Sequence, residues 1–336
     1  MKKIFVVIPN WNGKDELKAC LDSLHAQTQS AQILVVENGS TDGSLEYIQE
    51  NFNNVQLVIN KTNLGFAGGV NSGIREAIAS GAEYIALFNN DAAADKDWLK
   101  HLLKSLEQNP EVGIATCKLL SADKKQIDST GDQYTTWGLP YPRGRGEITS
   151  NKYDSDTDIF GASGGASLYR TKMFKEIGLF DEDFFAYFED VDLSFRAQLA
   201  GWKVLYVPEA IVYHKIGATS GKIKGFTTYQ TFKNYPLLFW KNVPFTLMFK
   251  MLPRFTLVYV SIYISSLLKG RGLPATKGLV RSLTLLPKKT LERRRIQKSR
   301  MVSAEHINGL LLHDLPPNAD KLRKLRSRWW KIIGKR

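Results

Sequence analysis

The sequence predicts an α/β fold: a mostly parallel sheet with helices on both faces over residues 1–225, followed by a basic helical tail over residues 226–336. Three observations predict it. Apolar runs of strand length alternate with stretches of helical periodicity through residues 1–120. Those runs are apolar throughout, as strands covered on both faces require. Four of them end in polar clusters, at residues 9–13, 37–43, 60–69 and 89–91, and ligands of parallel sheets bind at the carboxyl ends of strands.

The first run, residues 4–8, is too short for a secretion signal and stops at Pro9, so it reads as a buried strand. A helix over 14–26 follows, with Leu17, Leu21 and Leu24 in register. Strand 33–36, helix 44–51, strand 55–59, helix 69–79 and strand 84–88 continue the alternation. A helix over 97–108, which Asp95 can cap, and a strand from 113 to 120 complete a first half, residues 1–120. Residues 121–158 carry Gly131, Gly138, Gly144 and Gly146 and read as an insertion crossing the ligand-binding face. Arg143 and Arg145 within it could meet phosphates, although exposed arginines in a loop are more often solvated. Small residues at 161–166 permit close backbone approach to a ligand before strand 167–170 and helix 171–177. Residues 121–225 form a second half, closed by strands at 203–207 and 210–213 that lead to His214.

Between Asp181 and Asp192, six of twelve positions are carboxylates, with Phe184, Phe185, Tyr187 and Phe188 threaded among them. Burying a carboxylate is costly unless a cation, metal or donor meets it, so this mixture reads as the wall of a polar pocket. A helix begins near Val191 and ends at Gly201, with Asp192 and Arg196 spaced to pair. Asp190, beside Glu189 at the mouth of that helix, is placed to act as a general base. Glu37, directly after a buried run, could accept the imide N–H of a uracil or thymine ring. The glycine-rich residues 63–69 precede a helix and could meet phosphate. Asn89, Asn90 and Asp91 suit a hard cation such as Mg²⁺ or Mn²⁺.

Charge divides the chain. Residues 1–225 hold 23 Lys plus Arg against 29 Asp plus Glu, whereas residues 226–336 hold 23 against 4. A basic tail fits an anionic surface, and the tryptophans at 329 and 330 among lysines and arginines favour a membrane interface over nucleic acid. The longest uninterrupted apolar stretch there, residues 255–268, has 14 residues and is shorter than a bilayer span, so an interfacial or re-entrant helix, or one buried in the fold, is expected. Two cysteines, Cys20 and Cys117, suggest no disulfide framework and fit a reducing compartment.

The motifs VVIPNWNG, VVENGSTDGS, NLGFAGGVNSGI, LFNND, GASGGASLYR and GLFDEDFFAYFEDVDLSFRAQLAGW, ending at His214, resemble in order and spacing the family 2 glycosyltransferases of the GT-A fold, and more narrowly their bacterial rhamnosyltransferase-like members. The resemblance covers roughly residues 3–220. It implies inverting transfer from a nucleotide-sugar donor, a dTDP- or UDP-sugar with dTDP-rhamnose foremost, to a glycan acceptor linked to a polyprenyl diphosphate. Galactofuranose, glucose and N-acetylglucosamine are the other sugars it admits. It places Pro9, Asn12, Glu37, Asn38, Asn63, Gly65, Asn71 and Asn90 around the nucleotide, and Asp91, Asn89 and His214 at a Mn²⁺ or Mg²⁺ ion. Asp190, with Glu189, matches the catalytic base. Two departures stand out: Glu37 replaces the commoner Asp, and Asn89 replaces the first Asp of D-x-D. A cytoplasmic enzyme, peripheral on the inner face of the cell membrane, is the expected setting. A nucleotidyltransferase would instead show a glycine-rich loop after the first strand, where this chain has Asn10-Trp11-Asn12-Gly13.

Overall fold

Continuous apolar runs become the centre of a nine-stranded sheet. In the computed structural model, which describes residues 2–215 and 223–316 together with 319, 323, 324 and 327, strands β1 (Ile4–Asn10), β2 (Gln32–Asn38), β3 (Gln56–Asn60) and β4 (Tyr84–Phe88) run parallel. Alternate side chains leave opposite faces. Ile4, Val6 and Ile8 pack with Leu17 and Leu21 of α1 (Lys14–His25), Ile48 of α2 (Ser44–Asn51) and Trp98 of α4 (Trp98–Gln108). Phe5 and Val7 pack with Val70 and Ile74 of α3 (Gly65–Ala79) and, further along the sheet, Met173 of α5 (Thr171–Ile177) belongs to the same cluster. Both faces are covered, so both residue parities are apolar.

Three reversed strands make the sheet mixed. Strands β5 (Ala92–Ala94), β6 (Val112–Ser121), β10 (Ala166–Arg170) and β11 (Lys203–His214) extend it in the order β3-β2-β1-β4-β10-β6-β11-β5. β10 is antiparallel to both β4 and β6, and β5 is antiparallel to β11. The chain reaches β10 from the inserted residues rather than through a helical crossover, so it runs back against its neighbours. β7 (Ile127–Ser129) pairs with β6, while β8 (Asp132–Tyr134) and β9 (Pro140–Pro142) form a small hairpin.

α3 starts four residues before the expected position. Asn63 Oδ1 accepts the Gly65 N–H at 2.8 Å and Asn38 Oδ1 accepts the Leu64 N–H at 3.1 Å, so residues 65–69 become the first turn of the helix instead of a loop. The acidic segment forms a short 3₁₀ turn, Glu182–Phe184, and then α6 (Glu189–Leu199).

The tail folds as α7 (Phe226–Asn242), α8 (Phe245–Leu268), α9 (Gly272–Lys298) and α10 (Ala304–Leu310). Tyr235, Leu238, Phe239, Phe255 and Ile307 share a third apolar cluster with Tyr134, Phe160, Phe195 and Leu199. α8 corrects the expectation of a 14-residue stretch: it is one helix of 24 residues, long and apolar enough to cross a membrane by length and composition alone. Pro253 removes one backbone donor without ending the helix, because Met251 and Phe255 on either side are held in the third cluster. The helix is mostly uncovered; Phe245, Phe249, Val260, Ile264 and Leu268 lie exposed. The glycines at 217 and 221 and the tryptophans at 329 and 330 lie outside the described residues.

Candidate active site

Strand pairing brings distant residues to one sheet edge. Asn10 stands opposite Glu37, Asn38 opposite Asn60, and Ala166 opposite Phe88, which sets residues 163–165 beside Asn89. His214, the last residue of β11, pairs with Ala92 and so comes to lie next to Asp91. A cavity of about 700 Å³ opens here, within the range of small-ligand sites. Of the residues expected from sequence, Pro9, Asn38, Asn63, Gly65, Asn89, Asn90, Asp91, Glu189, Asp190 and His214 line it.

Three others do not reach the wall. Glu37 is buried, with Oε1 accepting the Ser40 N–H and Oε2 accepting from Asn10 Nδ2, both at 2.8 Å. Asn12 turns away in a left-handed conformation and accepts the Thr41 N–H at 2.8 Å. Asn71 ties α3 to the acidic segment, bonding both backbone groups of Phe180 and the Glu182 carboxylate. Each was expected at the nucleotide; in the structure Glu37 braces Asn10 of the cavity wall, while Asn12 and Asn71 brace residues behind that wall. Asn10 carries the bracing inward, since its Oδ1 accepts from Asn90 Nδ2 at 2.7 Å while its own amide holds Glu37. Gly13 is required beside this pair, because a Cβ there would lie 2.1 Å from Asn90 Nδ2.

Asp91 Oδ1 lies 3.1 Å from His214 Nε2 and makes no aligned hydrogen bond. His214 Nδ1 is 2.8 Å from Asp128 Oδ2, and Asp128 Oδ1 is 2.8 Å from Arg145 Nη2. With Nδ1–H donating to Asp128, Nε2 presents a lone pair toward a carboxylate oxygen. Two acceptors so close require a proton or a cation between them. With bonds of about 2.1 Å, an octahedral cation has neighbouring ligands roughly 3 Å apart, so the pair fits a divalent ion. In its absence a proton takes that place: burial pulls the His214 pKa down, but the Asp128 and Asp91 carboxylates outweigh this and raise it to about 9. The same two cations, His214 and Arg145, hold the Asp128 carboxyl below its usual range against its burial.

A second acidic group, Asp181, Asp183 and Glu292, also has metal-like spacing. It is already neutralised. The buried Lys289 ammonium lies 2.7 Å from Asp181, 2.8 Å from Asp183 and 2.9 Å from Glu292, and Lys241 bridges Asp181 at 2.6 Å to Asp192 at 3.0 Å. Asp192 also pairs with Arg196 at 2.9 Å, as its helical spacing predicts.

Asp190 sits at the start of α6, accepting the Gly164 N–H at 3.2 Å and the Val191 N–H at 2.8 Å. Burial raises its pKa despite these donors. Glu189 is raised too, by burial and then by Asp190, and one of its oxygens has no hydrogen-bond partner. Asp132, from β8, shares the cavity wall; burial and then the Asp190 charge push its carboxyl up to about 7. The segment before Asp190 is held in an unusual backbone form: Phe185, Tyr187 and Phe188 all have φ between 63° and 71°. Such conformations persist only where neighbours over-determine them. Here Asn234 Nδ2 of α7 donates to the carbonyls of Phe184, Ala186 and Tyr187 at 2.8–2.9 Å, and the Ala67 N–H of α3 bonds the Phe185 carbonyl at 3.1 Å.

Sequence reasoning missed Asp128 and Asp132 as cavity residues and gave Asn10 no role beyond its place in a polar strand end. Arg143 and Arg145 are not free loop side chains: Arg143 is buried against Thr130 and Asp156, and Arg145 reaches Asp128 at the cavity. The available signal was two aspartates flanking Ser129-Thr130-Gly131 in a segment already expected to cross the ligand face.

The mixed sheet, its polar strand ends and a cavity whose wall carries an Asp–His donor pair and the half-buried Asp190 carboxylate define a GT-A sugar-nucleotide transferase architecture. Residues 5–178 match the family described as Glycosyl transferase family 2, and the chain belongs to that family; it is a glycosyltransferase. An N-acetylglucosaminyl-diphospho-decaprenol L-rhamnosyltransferase of Mycobacterium tuberculosis is 28% identical over 237 residues, covering 65% of this chain and 77% of that one. The O-antigen biosynthesis protein RfbC of Myxococcus xanthus is 27% identical over 231 residues, 65% of this chain and 18% of its own length. Among solved structures, S. aureus TarS 1-349 aligns with a TM-score of 0.54 at 14% identity, covering 88% of this chain and 90% of that one. A mannosyltransferase from Pyrobaculum calidifontis, in complex with GDP-Man and Mn2+, aligns at 0.53 and 13% identity over 92% and 85%. At those identities the structures establish the fold.

Proposed function

We propose that this glycosyltransferase moves a sugar, L-rhamnose from dTDP-rhamnose foremost, onto a hydroxyl of a polyprenyl-diphosphate-linked glycan at a membrane surface. The observation that carries it is the Asp91–His214 pair and Asp190 on the wall of one cavity. The M. tuberculosis relative, named for rhamnosyl transfer to a decaprenol-linked N-acetylglucosamine, supports this choice of donor and acceptor.

Asn38, Asn63, Gly65 and Asn90 flank the nucleotide, with Glu37 acting through Asn10. Asp91 and His214 would hold a Mn²⁺ or Mg²⁺ ion, with Asn89 beside them; when bound, the ion supplies positive charge for the departing diphosphate. Asp190 takes the proton of the acceptor hydroxyl as its oxygen forms the new bond to the anomeric carbon. Attack comes from the face opposite the nucleotide, the bond to the diphosphate oxygen breaks, and configuration inverts. Burial makes Asp190 a stronger base than an exposed aspartate. The exposed face of α8 and the basic tail serve peripheral attachment to an anionic membrane.

The test is nucleotide release from a panel of dTDP-, UDP- and GDP-sugars, with prenyl-diphosphate-linked N-acetylglucosamine as acceptor, in Mn²⁺ and in EDTA. Metal-dependent release from dTDP-rhamnose, with rhamnose recovered on the lipid, supports the reading. Preference for another donor overturns the sugar, and equal turnover in EDTA overturns the metal.

A further inference from the structure

A second cavity, of about 420 Å³, lies where the end of α7, the start of α8 and the last turns of α9 meet. Its wall carries Trp240, Phe245, Arg293, Arg294 and Arg300. Arg293 is 8% exposed, donates to the carbonyls of Trp240 and Val243, and stacks 5.5 Å over the Trp240 ring. Among the described residues no carboxylate lies within ion-pair distance of Arg293, Arg294 or Arg300; Arg293 is held by backbone carbonyls and the Trp240 ring, and the more exposed Arg294 and Arg300 have no anionic partner. Phe245 and Thr246, also on the wall, occupy the first turn of α8, where backbone N–H groups have no acceptor within the helix. Three arginines and the first turn of a helix share the wall of one cavity, a setting that favours an anion.

Its surroundings say which anion. Phe245 belongs both to the cavity and to the exposed apolar face of α8, where it meets Phe249 edge-on at 4.7 Å. A ligand with its charge in the cavity would therefore have its other end against apolar side chains. The transfer site is separate: Phe226 lines the first cavity, Trp240 the second, and 14 residues of helix between them span about 21 Å.

We propose that this cavity takes the phosphate of an anionic membrane phospholipid, with Phe245 and Phe249 entering the acyl layer beside it. The inference rests on the membrane attachment proposed above and adds a defined headgroup site. It orients the enzyme: the α7–α8 junction lies at phosphate depth, and the mouth of the catalytic cavity is held about a helix length away.

The experiment is co-sedimentation of the full chain with vesicles of phosphatidylcholine alone and of phosphatidylcholine mixed with phosphatidylglycerol. Arg294→Gln/Arg300→Gln is compared with Lys269→Gln/Arg271→Gln, which removes equal charge at the far end of α8. Diffuse attraction at about 1 kcal/mol per basic residue weakens both by roughly thirtyfold. The headgroup site requires a clearly larger loss in the arginine pair, with nucleotide-sugar turnover on a soluble acceptor unchanged. Equal losses in both variants overturn the site and keep the membrane reading. No sedimentation of the wild type with either vesicle overturns the membrane reading itself. Binding of inorganic phosphate that depends on both arginines, without a preference for phosphatidylglycerol vesicles, assigns the cavity to free phosphate and overturns the lipid.

Discussion

Replacing Asp128 by Asn tests whether the donor pair at the cavity is built for a metal. Asp128 is buried and touches both His214 Nδ1 and Arg145 Nη2 at 2.8 Å. The amide keeps the shape but loses the charge, and its single carbonyl oxygen cannot serve both donors as the carboxylate does. The His214 ring is then free to turn or to carry its proton on Nε2, and either change leaves Asp91 without its partner ligand for the ion. Loss of such an outer partner lowers metal affinity by about 10–100-fold, or about 1.4–2.7 kcal/mol. The assay is Mn²⁺ titration followed by electron paramagnetic resonance, with nucleoside diphosphate present and melting temperature in EDTA as a control for folding. Asp91→Asn should weaken binding at least as much. Mn²⁺ affinity unchanged in Asp128→Asn would refute the reasoning, because the histidine would then need no orienting partner.

Other expectations follow from the buried charges. Asp132 in the folded chain keeps its proton up to about pH 7, whereas an ordinary aspartate releases it near 3.8. The folded state therefore binds more protons across that window, and stability falls as pH rises through it. Asp132→Asn should abolish this slope, raising the melting temperature at pH 8 relative to wild type. An unchanged slope would exclude Asp132 as the group responsible. Lys289→Met leaves Asp181, Asp183 and Glu292 crowded without their central cation and should lower stability by about 3–5 kcal/mol in urea unfolding. Asn234→Ala unties three carbonyls behind Asp190; turnover should fall well before KM for the donor changes, measured in steady-state kinetics at saturating acceptor.

Much of the fold was legible because burial on both faces leaves a plain trace: β1 and β2 are apolar at every core position, and their ends are abruptly polar. Asp91 and Asp190 could be expected on the cavity wall because Asp95 is free to cap the helix after Asp91 and because the acidic run around Asp190 is threaded with aromatics. Asp128 and Asp132 could not, since they lie on three-residue strands in a glycine-rich segment and acquire meaning only from β11 and α6 across the cavity. Glu37 was legible as buried, but whether its oxygens face a ligand or Asn10 and Ser40 is decided by side chains that sequence spacing does not orient. Charge counting misjudged part of the tail. Lys233, Lys241, Lys289 and Arg293 are buried within the protein, and the first three meet the acidic segment there; the sum over residues 226–336 cannot separate such internal charges from those facing outward. Proline misled in α8, where packing on both sides carries the helix through Pro253.

The central claim is that Asp190 removes the acceptor proton in an inverting transfer. Asp190→Asn keeps the side-chain size and an oxygen for the Gly164 N–H but cannot take a proton at neutral pH. Single-turnover transfer with donor, acceptor and Mn²⁺ all bound is the direct measurement, with the anomeric configuration of the product read by NMR. The account predicts a rate lower by about 10²–10⁴-fold, unchanged donor affinity, and an inverted product from the wild type. A rate in Asp190→Asn within a fewfold of wild type, or a product of retained configuration, would contradict it.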